Sequence, residues 1–254
     1  MELDPKQFDH MSPELAVHLH EQLAKMRAKC PVAYSEQRGG FWVVTRYEDV
    51  QRVAKDWQTF SSAHGVSPGS SAMTVKAIPE HVDPPLHRAY KRLINVWFTP
   101  GVVAQKADAT RQLVTRLIDG FVHAGQCEFM SAFARPFPGL AFFELILGAP
   151  PAEAAHVTEI VMTATDPTNP GSKAAWPLLI AWIKAFLDGR RCERRRQDVI
   201  DAVLHGDIEG RPITEEEVVG IVQLLLLGGL DTTAGTLGAA MVRMCEDPSL
   251  LALR

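Results

Sequence analysis

Leu224-Leu225-Leu226-Leu227-Gly228-Gly229-Leu230-Asp231-Thr232-Thr233 is the stretch that decides how this chain folds. A run this apolar belongs in a buried helix, yet two glycines, a carboxylate and two hydroxyls stand at its centre. Each glycine costs about 0.8–1 kcal/mol relative to Ala in a helix interior, and a buried unpaired carboxylate costs more. Packing alone does not select that combination. Gly228 and Thr232 share one helix face, with Asp231 turned about 60° from it. The bare backbone at Gly228 lets something flat come close. The Thr232 hydroxyl can bond the Gly228 carbonyl or hold a water there, distorting the helix locally. By itself the stretch fits a tightly packed core helix equally well, with its threonines satisfied locally.

Outward from this point the helix has clear ends. Thr214-Glu215-Glu216-Glu217 reads as a capping box, and Asp247-Pro248 is a stop. The rod between them runs roughly 30 residues, about 45–50 Å at 1.5 Å per residue. Its most apolar part, Val218 to Leu230, is interrupted by Gly220 and Gln223 and falls short of the about 20 residues that span a bilayer. The polar start, Met1-Glu2-Leu3-Asp4-Pro5-Lys6, lacks the apolar core of a signal peptide. A net charge of −4 gives no drive toward nucleic acid or anionic membranes. Cys30, Cys127, Cys192 and Cys245 lie far apart, with no metal-ligand spacing and no disulfide framework. These features predict a soluble, cytoplasmic protein. With 46% hydrophobic residues, 22% charged ones and no linker or repeat, residues 1–254 read as a single domain.

The remaining pattern is mainly helical. Ser12-Pro13 opens a helix over 14–29, and Phe41-Trp42-Val43-Val44-Thr45-Arg46-Tyr47 reads as a strand of a small sheet. A short helix over 48–57 precedes a Ser/Gly/Pro-rich loop at 61–80. Asp83 is a good N-cap with Pro84 at the first helical position. On the helix that follows, His87 and Lys91 share one face and Arg88 and Arg92 the next, a cation cluster suited to a carboxylate or phosphate. The same pattern also fits a solvated basic face. A long helix is expected over 102–122 with Leu113, Leu117 and Phe121 inward. Another opens at Pro136 and closes at Leu147-Gly148, with Glu144 facing solvent. Asp166-Pro167-Thr168-Asn169-Pro170-Gly171 is a loop before an apolar helix at 176–187, and Gly210-Arg211-Pro212-Ile213 is a turn. Arg190 to Arg196 carries five arginines; without interleaved aromatics and with acids alongside, it reads as a solvated helix surface.

In this order the pieces resemble a soluble bacterial cytochrome P-450 of the camphor-hydroxylase branch. Gly228-Gly229-Leu230-Asp231-Thr232-Thr233 is similar to the oxygen-activating groove of that family's long central helix. Asp83-Pro84-Pro85-Leu86-His87, Phe98-Thr99-Pro100, Trp42 to Val50 and Glu144 to Pro150 resemble four more of its segments. The resemblance implies a mainly α cytochrome P-450-like helical fold with a small β-sheet. It implies heme b as cofactor, with Asp231 and Thr232 as the catalytic proton-delivery pair. Gly228 and Gly229 would admit the heme to the helix, and His87 and Lys91 would hold its propionates. It further implies dioxygen, a small or medium apolar organic substrate and a ferredoxin-type or reductase electron donor. Lys91 stands where the family has Arg, exchanging a bidentate contact for a point charge. Leu86 replaces a Glu, removing the capping-box partner of Asp83. The family's axial Cys loop and its Glu-x-x-Arg helix are absent, so no metal ligand is expected among these residues and the sequence reads as an N-terminal part with the heme-ligating part missing.

The resemblance therefore implies a heme-thiolate monooxygenase by ancestry, with the isolated 254-residue chain inactive. The alternative is a heme-free helical fragment that is inert or only binds. A third class, a helical regulator using Arg190 to Arg196 on nucleic acid, is opposed by the net charge.

Overall fold

The structure, a computed structural model, describes residues 4–65, 67–68 and 73–252. Two compact units divide the chain, Met1–Ser71 with Glu80–Pro84, and Ala72–Pro79 with Pro85–Arg254.

In the first unit, α1 (Pro13–Lys29) starts where the Ser12 hydroxyl accepts the Leu15 N–H at 3.2 Å. β1 (Val32–Ser35) pairs antiparallel with β2 (Phe41–Val44), Val32 opposite Val44 and Tyr34 opposite Trp42. Strand alternation turns Ala33 and Val43 inward onto Phe8, Leu15 and Met26, and leaves Tyr34 and Trp42 exposed. β2 stops short of the expected Tyr47, which instead opens α2 (Tyr47–Lys55). Its partner β1 was not legible, because four residues of mixed character carry no period. Of the 61–80 loop, residues 66 and 69–72 lie outside the described residues.

Asp83 is not a helix cap. Its carboxylate accepts the Ser62 N–H at 3.1 Å and the Ser61 hydroxyl, so the side chain is spent on the loop. The helix of the second unit that follows, α3 (Leu86–Asn95), begins after Pro85 with no side-chain cap.

The second unit continues with α4 (Pro100–Ala104) and α5 (Ala107–Asp119). The single helix expected over 102–122 is thus broken, where the Lys106 N–H turns back to the Val103 carbonyl at 3.0 Å. Leu113 is buried as expected, while Leu117 and Phe121 are only half-buried. α6 (Pro136–Phe142) lies between two π-helical turns, Met130–Ala134 and Phe143–Leu147. The second turn ends at Gly148, whose φ of 61° is the left-handed conformation that closes helices. Glu144 does not simply face solvent; its carboxylate takes the Arg116 guanidinium at 2.9 Å. Next come α7 (Ala154–Thr165), α8 (Ser172–Cys192) and α9 (Val199–His205). A hairpin of β3 (Asp207–Ile208) and β4 (Arg211–Pro212) turns through Glu209 and Gly210, both at positive φ, the mirror-image turn that tight hairpins favour.

α10 (Glu215–Glu246) is the axis of this unit. Its capping box forms as read, with the Thr214 hydroxyl accepting the Glu217 N–H at 3.3 Å and Glu217 accepting the Thr214 N–H at 2.8 Å. Val218, Val219, Ile221, Val222 and Leu226 are buried on every side, and α6, α7, α8 and α9 pack around them. Met130–Leu147 and Glu215–Glu246 are each long and apolar enough to cross a membrane by length and composition. The first is interrupted by its π turns, and the second has its N-terminal half enclosed by neighbouring helices.

The arginine run is not a solvated helix surface. α8 ends at Cys192, and the Arg190 side chain is only 2% exposed. Arg190 donates to the Leu147 carbonyl at 2.9 Å, to Asp198 at 2.9 Å and to Asp201 at 3.1 Å. A charge this deep is tolerated only with such partners. Arg196 bonds the Gly148 carbonyl at 2.6 Å, and Arg191 pairs with Asp188 and Glu215. The run ties the end of one helix to the start of two others.

Candidate functional site

The site starts from one face of α10. The Thr232 hydroxyl donates to the Gly228 carbonyl at 2.9 Å, and the Thr236 hydroxyl repeats the bond to the Thr232 carbonyl at 2.9 Å. A β-carbon added at Gly228 or at Gly235 would meet nothing within 4 Å. Gly228, Thr232, Gly235 and Thr236 are all exposed, and Asp231 is half-buried beside them. Helical spacing puts these positions on one open stripe. The expected local distortion is absent, because α10 stays α-helical throughout. A back-bond from Thr to the carbonyl four residues earlier satisfies the hydroxyl without breaking the ladder.

Gly229 belongs to a different face. A β-carbon there would sit 2.7 Å from the Phe142 ring, so this glycine lets α6 close on α10. The two adjacent glycines therefore do separate jobs. Gly228 leaves room and Gly229 makes contact.

The expected anion-binding residues are together as read. His87, Arg88, Lys91, Arg92, Asn95 and Thr99 line one open cleft of about 630 Å³ on α3 and the turn after it. Arg92 is partly engaged by Glu209 at 3.4 Å, a surface pair of small value. Lys91 is exposed and His87 half-buried.

A polar cluster not foreseen from the sequence joins α3 to the start of α10. Tyr90 lies between His87 and Lys91 in the chain and is 1% exposed. Its phenol donates to Glu217, which also receives both Nη groups of Arg211, at 2.8 and 2.5 Å. The Arg211 fork, against the opposing effect of burial, holds the Glu217 carboxyl down at about 2. Burial, and next the hydrogen bond to Glu217, push Tyr90 up to about 12. The capping box was the only visible part of this cluster, since Tyr90 and Arg211 arrive from distant segments.

Gly220 and Gln223, which the sequence shows only as breaks in the apolar run, make a structural contact with the preceding loop. A β-carbon at Gly220 would stand 2.3 Å from the Lys76 carbonyl oxygen. That contact lets the Ile78 N–H donate to the Gly220 carbonyl at 3.2 Å and Gln223 Nε2 to the Val75 carbonyl at 3.2 Å. The end of the 61–80 loop is therefore strapped to the buried half of α10.

The open stripe at Gly228 fits the close approach of a flat group such as heme. The donor set for its iron is another matter. All four cysteines are exposed. Cys245, the one on α10, lies roughly 20 Å beyond Thr232 at 1.5 Å rise per residue. Among the described residues no group of His, Cys, Asp and Glu could hold a metal ion.

No family model matches the chain. Curated relatives do. Probable cytochrome P-450 127A1 of Sinorhizobium fredii is 29% identical over 86% of this chain and 53% of its own length. Erythromycin C-12 hydroxylase of Saccharopolyspora erythraea is 29% identical over 91% of this chain and 59% of its own. The Mycobacterium marinum cytochrome P-450 CYP268A2, solved in complex with pseudoionone, superposes with a TM-score of 0.84 at 20% identity. That match covers 99% of this chain and 67% of the solved one. CYP101J2 gives 0.79 at 24% identity, over 98% and 62%. The chain has a cytochrome P-450 fold. It resembles bacterial cytochromes P-450 along nearly its whole length, and it spans a little over half the length of the curated relatives it matches. The cytochrome P-450 relatives use heme b with a cysteine thiolate ligand.

Proposed function

We propose that this chain is the oxygen-side part of a heme-thiolate monooxygenase that inserts one oxygen atom from dioxygen into a small or medium apolar organic substrate. The observation that carries the reading is the open Gly228–Thr232 face of α10, found within a cytochrome P-450 fold. When bound, heme with a thiolate ligand supplies dioxygen binding and O–O cleavage. The chain's own residues bind, orient and move protons. Gly228 keeps the helix surface bare enough for a flat group. Thr232 Oγ1 holds a proton beside that surface and can turn it from the Gly228 carbonyl toward a bound water. Asp231, half-buried next to it, picks up protons from solvent and passes them on. His87 and Lys91 hold the cofactor's carboxylates in the α3 cleft, Lys91 as a point charge. Gly229 acts indirectly, through the seat it makes for Phe142. Residues 1–254 belong to one catalytic domain of a cytoplasmic protein that takes electrons from a ferredoxin-type donor or a reductase and uses no nucleic acid and no membrane.

The first test is the absorption spectrum of the purified chain with added hemin, reduced and under carbon monoxide. A band at the thiolate position would make one of Cys30, Cys127, Cys192 and Cys245 the ligand and overturn the division of labour proposed here. Heme without the thiolate shift fits it. No heme uptake favours the heme-free, binding-only or inert alternative for the isolated chain. In a protein completed with a heme-ligating part, Thr232→Ala should uncouple electron use from product formation, and unchanged coupling would remove Thr232 from the proton path.

A further inference from the structure

A cleft of about 550 Å³ opens between α6 with its preceding π turn and α7, away from the residues used above. Its volume lies in the range of small-molecule sites, as does its make-up of apolar walls with a few polar groups. Leu140, Ala155 and Met162 supply much of the wall. Gly139 marks the crossing of the two helices, where a β-carbon would come 2.8 Å from Thr158 Oγ1.

Besides Ser131, whose hydroxyl donates to the Glu128 carbonyl at 3.3 Å, three polar side chains border the same cleft: Arg135 from the α6 side, and Thr158 and Glu159 from α7. Among the described residues no hydrogen bond or ion pair engages any of the three side chains, although Arg135 adds to the field that lowers the pKa of Glu128. Elsewhere in this unit acids and arginines do meet: Arg116 with Glu144, Arg190 with Asp198 and Arg211 with Glu217. Arg135 and Glu159 face one cleft and leave each other unpaired. A lone carboxylate would satisfy the first and be repelled by the second. A lone ammonium would do the reverse.

We propose that this cleft binds a free apolar α-amino acid as its zwitterion. The ligand carboxylate takes the Arg135 guanidinium, its ammonium takes the Glu159 carboxylate, and the Thr158 hydroxyl adds a hydrogen bond. The apolar side chain lies between Leu140, Ala155 and Met162. Both charges are exposed at the rim, which keeps their desolvation cost small. The site is independent of the α10 groove and of any heme.

Isothermal titration of the purified chain with L-phenylalanine tests this directly. One saturable site is expected. Arg135→Gln and Glu159→Gln should each weaken it at least about tenfold, as should replacing the probe with neutral N-acetyl-L-phenylalanine amide. Ala155→Trp, a change at an exposed helical position, should fill the cleft and abolish the signal. Circular dichroism of each variant should match the parent. Equal binding of the neutral probe would reduce the site to a greasy cleft and overturn the proposal. Sensitivity to Arg135→Gln alone would make the ligand a simple acid and overturn it too. So would the absence of any heat with L-phenylalanine.

Discussion

The two halves of α10 carry similar residues to opposite ends. From Val218 to Leu226 the helix is enclosed, and its one glycine, Gly220, is pressed against the Lys76 carbonyl. From Gly228 to Val242 one stripe is open, and Gly228 and Gly235 have empty space where a β-carbon would go. Val242 is 60% exposed, whereas Leu226 is fully buried. One helix thus serves as core in its first half and as a working surface in its second. The glycine of the first half is a packing device, whereas in the second Gly228 and Gly235 are clearances beside Gly229 and Gly238, which still pack on Phe142 and Met130.

The largest effect should come from the core side. Leu226→Ala is expected to cost about 3 kcal/mol through lost burial and an unfilled cavity, and Val242→Ala less than about 0.5 kcal/mol. Urea melts compare the two, and similar costs would erase the distinction between the halves.

Gly220→Ala should come next, at about 2–3 kcal/mol. The new methyl cannot share space with the Lys76 carbonyl without releasing the Ile78 and Gln223 bonds. Gly228→Ala should do the opposite and stabilise by about 0.5–1 kcal/mol, since it gains helix propensity and meets nothing. The opposite signs are the sharpest form of the comparison, readable as shifts of the urea midpoint in opposite directions. A destabilised Gly228→Ala would mean the open face is covered.

At the junction with α3, Glu217→Gln should cost about 2 kcal/mol, and Tyr90→Phe about 1 kcal/mol. The Glu217 carboxyl is held at about 2 in the folded chain against an ordinary 4.5. Between those values the unfolded chain binds more protons, so the stability Glu217 contributes is complete above about pH 4.5 and is lost as pH falls toward 2. Acid titration of the folded fraction should therefore lose part of its low-pH slope in Glu217→Gln, and an unchanged slope would remove Glu217 as its source.

A stability effect as small as that of Val242→Ala is expected of Thr232→Val, within about 0.5 kcal/mol, because the hydroxyl it removes is exposed and bonded only to its own helix. A large loss would make Thr232 a structural residue and weaken its proposed proton role.

The sequence by itself determined what depends on near neighbours. The capping box at Thr214 and Glu217, the shared face of Gly228 and Thr232, and the row of cations from His87 to Arg92 follow from helical spacing, and all are present. Short-range spacing is fixed once the local backbone is chosen. It could not say that Asp83 would turn to Ser61 and Ser62, or that Lys106 would break the helix before α5. Nor could it show that Arg190 would be buried. Five arginines read as a solvated surface until Asp198 and Asp201 fold back on one of them, and only then is a buried charge affordable. The roles of the glycines were decided in the same way. Gly220, Gly228 and Gly229 are identical letters in one helix, and only the arrival of the Lys76 carbonyl, of nothing, and of the Phe142 ring makes them a strap seat, an opening and a packing contact. Tertiary structure decides such cases because the partner of a bare backbone lies far along the chain.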